Sequence, residues 1–257
     1  MRFGRRRDDF EKDRNASAWG SAALPIPAVS EIGEAFDGHY AISTRVYGTP
    51  LESLDADGWR AVTPKLFEAL DELRAVPVDG PDCFGATDLG IRATWREYLL
   101  TVDLPRSSRL SGWRERLRAH PGGERAFARG YAELERLSPG VDVAPHVVHG
   151  DLVNRNVYVD GTVISGIFDW GCSFTGDFAY EIALIVFWTS WYDALVEFDL
   201  LAAALEHWAA VGADLRDIER RLRLCAIHIG LSHIVYNAFL GNGPALDACA
   251  ERMRLYL

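Results

Sequence analysis

Lysine is nearly missing from this chain of 257 residues: Lys12 and Lys65 stand alone among 27 basic residues, the rest being arginine. Such a bias reflects coding composition and excludes a lysine-rich nucleic-acid tail. Cysteine is scarce too. Cys83, Cys172, Cys225 and Cys249 form no C-x-x-C pair and no framework spacing, which excludes a zinc ribbon and a disulfide scaffold and fits a reducing compartment. Long hydrophobic runs are absent. The longest, residues 182–192, lies between Glu181 and Asp193 and falls far short of the roughly 20 residues that cross a bilayer. The first fourteen residues mix charges without an apolar signal core. Basic charge is in deficit, 27 against 37 acidic residues, for a formal net charge of −10. That field repels nucleic acid and anionic lipid and attracts a polycation, besides serving solubility. With 49% apolar and 25% charged residues, the composition is that of a soluble globular protein, and a cytoplasmic location is expected.

The chain is long enough for one large domain or two unequal lobes. Its start reads as a short strand at Arg2-Phe3, a helix over residues 9–19, and strands over 28–35 and 40–47 flanking a tight turn at Asp37-Gly38. After Gly48 the period becomes helical, at residues 54–75, 93–102, 123–137, 178–211 with a break, and 215–240. One β-rich island, residues 147–169, interrupts the helices and holds a second turn at Asp160-Gly161. The expected organisation is an α/β fold with a small lobe, residues 1–48, and a large mainly helical lobe, residues 49–257, joined near Tyr47-Gly48.

The island carries the chemistry. His149-Gly150-Asp151-Leu152-Val153-Asn154-Arg155-Asn156 has the H-x-D-x-x-x-x-N spacing of a phosphotransfer loop, and Asp169-Trp170-Gly171 follows one hairpin later. A carboxylate on such a loop meets the acceptor hydroxyl, which makes Asp151 the candidate base. Mg²⁺ takes oxygen ligands, one or two from protein and the rest from phosphates and water, which suits the Asn156 amide oxygen and the Asp169 carboxylate. His149 reads as the brace of the catalytic loop. Asp and Asn are also common turn and cap residues; their order and the apolar strand before Asp169 favour the chemical reading. A two-residue turn at Asp160-Gly161 would set Asn156 opposite Ser165 and leave Asp169 beyond that pair. Both residues reach one metal only with a longer loop or a chain that curves back.

At these residues the chain resembles the aminoglycoside phosphotransferase family, whose members combine HGD-x-x-x-x-N with I-D-W and then G-D. Here these are His149 to Asn156, Ile167-Phe168-Asp169-Trp170 with one residue inserted before the aspartate, and Gly176-Asp177. Shorter segments, Lys12-Asp13-Arg14, residues 21–27, Thr94-Trp95-Arg96 and Phe187-Trp188-x-x-Trp191, are similar to hygromycin B kinases. The resemblance implies a protein-kinase-like fold, ATP with Mg²⁺, and a hydroxyl acceptor. It further implies that the chain begins at or just before the third strand of the N-terminal lobe, so that this lobe is shortened and lacks the glycine-rich loop that covers phosphates. By the same resemblance Arg2 takes the place of the phosphate-contacting lysine. It supplies charge and forked donors without the compact ammonium. The connector after the third predicted strand, with Ser43 and Arg45, is expected to meet the adenine.

Phe10, Asp13 and Ser17 share a helical face, which makes Asp13 the expected partner of Arg2; the alternative is a solvated carboxylate in a charged run. For the acceptor, Trp188 and Trp191 are three apart after Asp177 and Glu181, a pattern that lines a cleft for a cationic sugar or, equally, packs as core. Asn154 and Arg155, beside the metal residue, are further candidates for acceptor contact, although Asn154 also suits a loop cap. The function expected is phosphorylation of an aminoglycoside-like acceptor, hygromycin B favoured. The rivals are a kinase of choline, homoserine or a macrolide sugar, and a degenerate kinase-like binding protein.

Overall fold

The apolar alternation at the start of the chain folds into an antiparallel three-stranded sheet in the computed structural model, which describes residues 1–86, 90–103 and 110–257. β1 (Arg2–Gly4) lies against β3 (Gly38–Ser43), which pairs on its other side with β2 (Val29–Ala35). Between β1 and β2 runs α1 (Arg7–Ala16), continued by a 3₁₀ turn at Ser17–Trp19, where one helix over 9–19 was expected. The β2–β3 turn sits one residue earlier than the Asp37-Gly38 expected. Gly38 pairs with Ala35, the loop is Phe36-Asp37, and Phe36 takes the positive φ of 55°. Glycine is needed at 38 for another reason: a Cβ there would stand 2.5 Å from the Gly4 carbonyl oxygen as β1 passes.

Contacts divide the described chain into two compact units, each made of separate stretches. The first holds Met1–Pro77, His146–Phe174 and Trp188–Ala213. The second holds the described parts of Val78–Pro145, Thr175–Phe187 and Asp214–Leu257. The division does not fall at residue 48. The N-terminal sheet and the island belong to one unit because long-range bonds join them, among them Ile167 N–H to Pro25 O at 2.8 Å.

In the first unit, β4 (Thr49–Pro50), α2 (Ala56–Ala75), β5 (His146–Val148), β6 (Val157–Asp160) and β7 (Val163–Ile167) follow in order. Asp55 caps α2 by accepting from Gly58 N at 2.8 Å, and the apolar face of α2 buries Trp59, Val62, Leu66 and Leu73. The second sheet has the order β4-β6-β7. Its β6–β7 turn is Gly161-Thr162, with Gly161 at φ 62° and Asp160 opposite Val163, again one residue from the expected position. Helices Asp193–Glu197 and Leu200–Ala210 complete the unit. The expected helix over 178–211 is therefore three helices, interrupted twice.

The second unit is helical. Thr94 and Glu97 form a capping box at the start of helix Trp95–Leu100, and Pro121 opens helix Pro121–Leu137. Helix Ile218–Leu240 runs through the centre, burying Leu224, Ile227, Leu231 and Ile234, and stops at Gly241 with φ 70°. Helix Tyr180–Phe187 packs on it, apolar on nearly every face and buried accordingly.

Candidate active site

The β6–β7 register brings the two metal candidates together. The turn at Gly161-Thr162 and a bulge after Tyr158, which leaves Ser165 as the extra residue, set Val157 opposite Ile167. One step further, Phe168 N–H donates to Asn156 O at 3.0 Å, so Asp169 comes directly after the residue facing Asn156. The Ser165 pairing expected from a turn at Asp160-Gly161 does not occur, and the chain meets the geometric requirement through its bulge.

Asp151 is bracketed by amides. Asn156 Nδ2 donates to the Asp151 carbonyl at 2.7 Å and to its Oδ2 at 3.1 Å, and Asn154 Nδ2 reaches the same Oδ2 at 3.3 Å. Burial is the largest influence on this carboxyl. Together with the nearby charges of Asp169 and Glu52 it outweighs the two amides and pushes the pKa up to about 6. Asn156 gives its N–H groups to Asp151, which leaves its side-chain oxygen as an acceptor, and the charge of the Asp169 carboxylate acts on the same Asp151. These two oxygens suit a hard divalent cation that takes its remaining ligands from phosphate and water. Among the described residues no cluster of three His, Cys, Asp or Glu offers an all-protein cage.

His149 is the brace expected. It is fully buried, accepts from Asp151 N–H at Nδ1 (3.2 Å), and meets the Phe168 carbonyl at Nε2 (3.1 Å). Burial lowers its pKa to about 4, so the ring is neutral, and accepting at Nδ1 puts the proton on Nε2, which donates to Phe168 O. One imidazole thereby ties the catalytic loop to the residue before Asp169, with Trp170 edge-on at 4.6 Å.

Asp169 itself sits at φ 67°, ψ 61°, in the left-handed region that costs a non-glycine residue about 1–3 kcal/mol and persists where neighbours over-determine it. Asp13 is one such neighbour: its Oδ1 accepts from Trp170 N–H at 2.7 Å, and its other oxygen pairs with Arg2. Burial of Asp13 raises its pKa against the opposing pull of Arg2. Arg2 also reaches Asp169 at 3.2 Å and stacks over the Phe10 ring at 5.0 Å. The inward orientation of Asp13 expected from the Phe10–Asp13 face is what the structure has, with both residues buried.

Arg2, Asp13, Ser43 and Arg45 line a cleft of about 390 Å³ together with Tyr158 and Phe168. The two rings meet at 5.2 Å. They escaped the sequence reading because one aromatic in β6 and another just past β7 carry no local mark of a ligand. Glu52 and Tyr192 were missed as well. The Glu52 carboxylate receives Arg155 N–H, where Arg155 has φ 60°, and Tyr192 OH donates to Val153 O at 2.9 Å. Both shape the catalytic loop from distant positions.

The expected acceptor residues divide. Trp188 and Trp191 stand ring to ring at 4.8 Å, with Trp191 45% exposed, though the helix ends at Phe187 and a 3₁₀ turn carries Trp191. Asp177 does not offer its charge to a ligand. It is fully buried in the second unit and gripped by Arg221 through two bonds of 2.8 and 2.6 Å. Glu181 is buried in the same unit at 2% exposure. The pattern of Asp177 and Glu181 ahead of two tryptophans suggested lining carboxylates; Asp177 belongs instead to a structural ion pair with Arg221. Asn154 and Arg155 lie at the surface beside Asp151.

A family model described as the phosphotransferase enzyme family matches residues 2–213. Hygromycin-B 4-O-kinase from Escherichia coli is 30% identical over 242 residues, 91% of this chain and 67% of that protein. A thermostable mutant of aminoglycoside phosphotransferase APH(4)-Ia, solved as a ternary complex with AMP-PNP and hygromycin B, is 26% identical with a TM-score of 0.79, covering 96% of this chain and 82% of that one. The GDP complex of wild-type aminoglycoside 2'-phosphotransferase-IIIa, 16% identical with a TM-score of 0.59 over 97% of this chain and 81% of that one, shares the fold. The protein-kinase-like α/β fold expected from the sequence is thus the observed one.

Proposed function

Because the chain belongs to the phosphotransferase enzyme family, we propose that it moves the γ-phosphoryl group of ATP, held with Mg²⁺, to a hydroxyl of an aminoglycoside of the hygromycin B kind. The observation that carries this reading is the convergence of Asp151, Asn156 and Asp169 across β6 and β7, in a chain similar to a kinase of that antibiotic.

Phosphoryl transfer asks a protein mainly for position and charge. Asp151, ionised at neutral pH because its pKa of about 6 lies below, accepts the acceptor's hydroxyl proton as the new O–P bond forms and the bond to the ADP oxygen breaks. Asn154 and Asn156 fix the direction of its carboxylate, and His149 fixes its backbone. Asn156 and Asp169 are the residues that would hold Mg²⁺, which when bound neutralises phosphate charge. Arg2 brings a cation to the phosphates, and the cleft beside the 43–48 connector takes the adenine, its edge met by backbone groups. Trp188, Trp191, Asn154 and Arg155 are the side chains assigned to the acceptor. The net charge of −10 favours a polycationic one.

The test is ADP release by the purified protein with Mg-ATP and a panel of hygromycin B, kanamycin, choline and homoserine, with product mass. Release and a phosphorylated product with hygromycin B are expected. Turnover with choline or homoserine alone would replace the acceptor, and absence of turnover with every member would remove the catalytic reading.

A further inference from the structure

Lys12 stands next to Asp13 on α1, and its ammonium is directed at the same loop. Nζ donates to Gly171 O at 2.9 Å and to Ser173 O at 3.3 Å, while Asp13 takes Trp170 N–H. Two consecutive helix residues therefore hold the backbone from Trp170 to Ser173, on the C-terminal side of Asp169. The N-terminal side is held by Phe168 N–H to Asn156 O and Phe168 O to His149. Between these fixed points Asp169 keeps a left-handed backbone that it would not keep unaided.

The composition gives the contact at Lys12 more weight. The other lysine, Lys65, pairs with Glu68 on an exposed helix face, a role an arginine performs as well. Lys12 instead serves two carbonyls that flank Cys172, and its compact head with three diverging donors suits two nearby acceptors on one turn.

We propose that Lys12 is a positioning residue for the metal and phosphate carboxylate. Through Gly171 O and Ser173 O it holds the turn that aims Asp169, so that α1 sets the affinity for Mg-ATP by a route separate from the Arg2–Asp13 pair. The inference rests on the reading of Asp169 as the carboxylate that meets the cation.

Lys12→Met removes the donors and keeps the stem; Lys12→Arg returns donors on a longer arm. Calorimetry of ATP binding against Mg²⁺ concentration, Mn²⁺ electron paramagnetic resonance with ATP, separate KM values for ATP and hygromycin B, and melting temperatures are to be measured on the full chain. Lys12→Met is expected to weaken Mg-ATP about tenfold, the size of a lost charge-assisted hydrogen bond, to raise the sharp six-line signal of unbound Mn²⁺, and to leave the acceptor KM unchanged. Lys12→Arg should restore most of the affinity. Wild-type Mg-ATP affinity in Lys12→Met overturns the proposal. So does a loss that follows a lowered melting temperature and that Lys12→Arg does not reverse, which marks a packing role. If Lys12→Met fails to fold, Lys12→Gln, which removes the charge and keeps only a neutral amide as donor, takes the same measurements with the same criteria. Absence of Mg²⁺-dependent ATP binding by the unaltered protein would instead strike the reading of Asp169, and the inference with it.

Discussion

Replacing Asp151 with asparagine should make the protein a far poorer catalyst and a more stable fold, and the second effect has a pH signature. The carboxyl titrates near 3.8 in an unfolded chain and at about 6 in the fold, chiefly because it is buried. That gap corresponds to about 3 kcal/mol at full strength, and because Asp151 keeps some contact with solvent, water screens part of it, so about 1–3 kcal/mol is expected. The sign is set by which state gives up its proton first. Below about pH 4 the carboxyl is protonated in both states and asparagine confers nothing. As pH rises the unfolded chain ionises first, so the parent loses stability across the window from 3.8 to about 6 and Asp151→Asn does not. Asparagine keeps an oxygen for the amides of Asn154 and Asn156, so the loop has no cause to rearrange. Urea unfolding without nucleotide, at steps from pH 4 to pH 8, measures the difference, while the transfer rate with Mg-ATP and hygromycin B should fall about 10²–10⁴-fold. A stability difference that does not change with pH, or a variant that keeps the parent's transfer rate, would refute the reasoning on its structural or its chemical side respectively.

Asp169→Ala should abolish Mg²⁺-dependent ATP binding in calorimetry, with Asn156→Ala milder because a neutral ligand is lost; unchanged affinity in Asp169→Ala would remove the metal role. The same variant deletes a charge that raises the Asp151 pKa, so the Asp151 carboxyl resonance should titrate at lower pH in it. Asp177→Asn leaves the buried Arg221 guanidinium without its counter-charge and should cost about 3–5 kcal/mol in urea unfolding; intact stability with a raised acceptor KM would return Asp177 to the substrate site. Under the proposal that backbone groups of the connector meet the adenine, Ser43→Ala and Arg45→Ala should change the KM for ATP little. A rise beyond about tenfold would assign that contact to a side chain.

The proposed catalytic loop is written locally in the amino-acid sequence: an imidazole, a carboxylate and an amide at fixed offsets on a few residues of chain, with a second carboxylate closing an apolar strand. Helix positions were legible for the same reason, since a 3.6-residue period is written within one segment. The inward turn of Asp13 followed from its spacing to Phe10. Where pairing decides, the sequence was less informative. Both hairpins turn one residue away from their Asp-Gly signals. At the first, the reason is that Gly38 must clear β1, a strand more than thirty residues earlier. The bulge at Ser165, which brings Asp169 to Asn156, has no signature in its own neighbourhood. Asp177 looked like a carboxylate for a ligand until Arg221, 44 residues on, was seen to occupy it, and nothing in the sequence around Lys12 pointed to its carbonyl partners, 159 and 161 residues away. Local spacing on this chain determined which groups can perform the chemistry. The tertiary structure decided which of them are already engaged, because a buried charge is defined by its partner, and that partner is set by packing rather than by sequence distance.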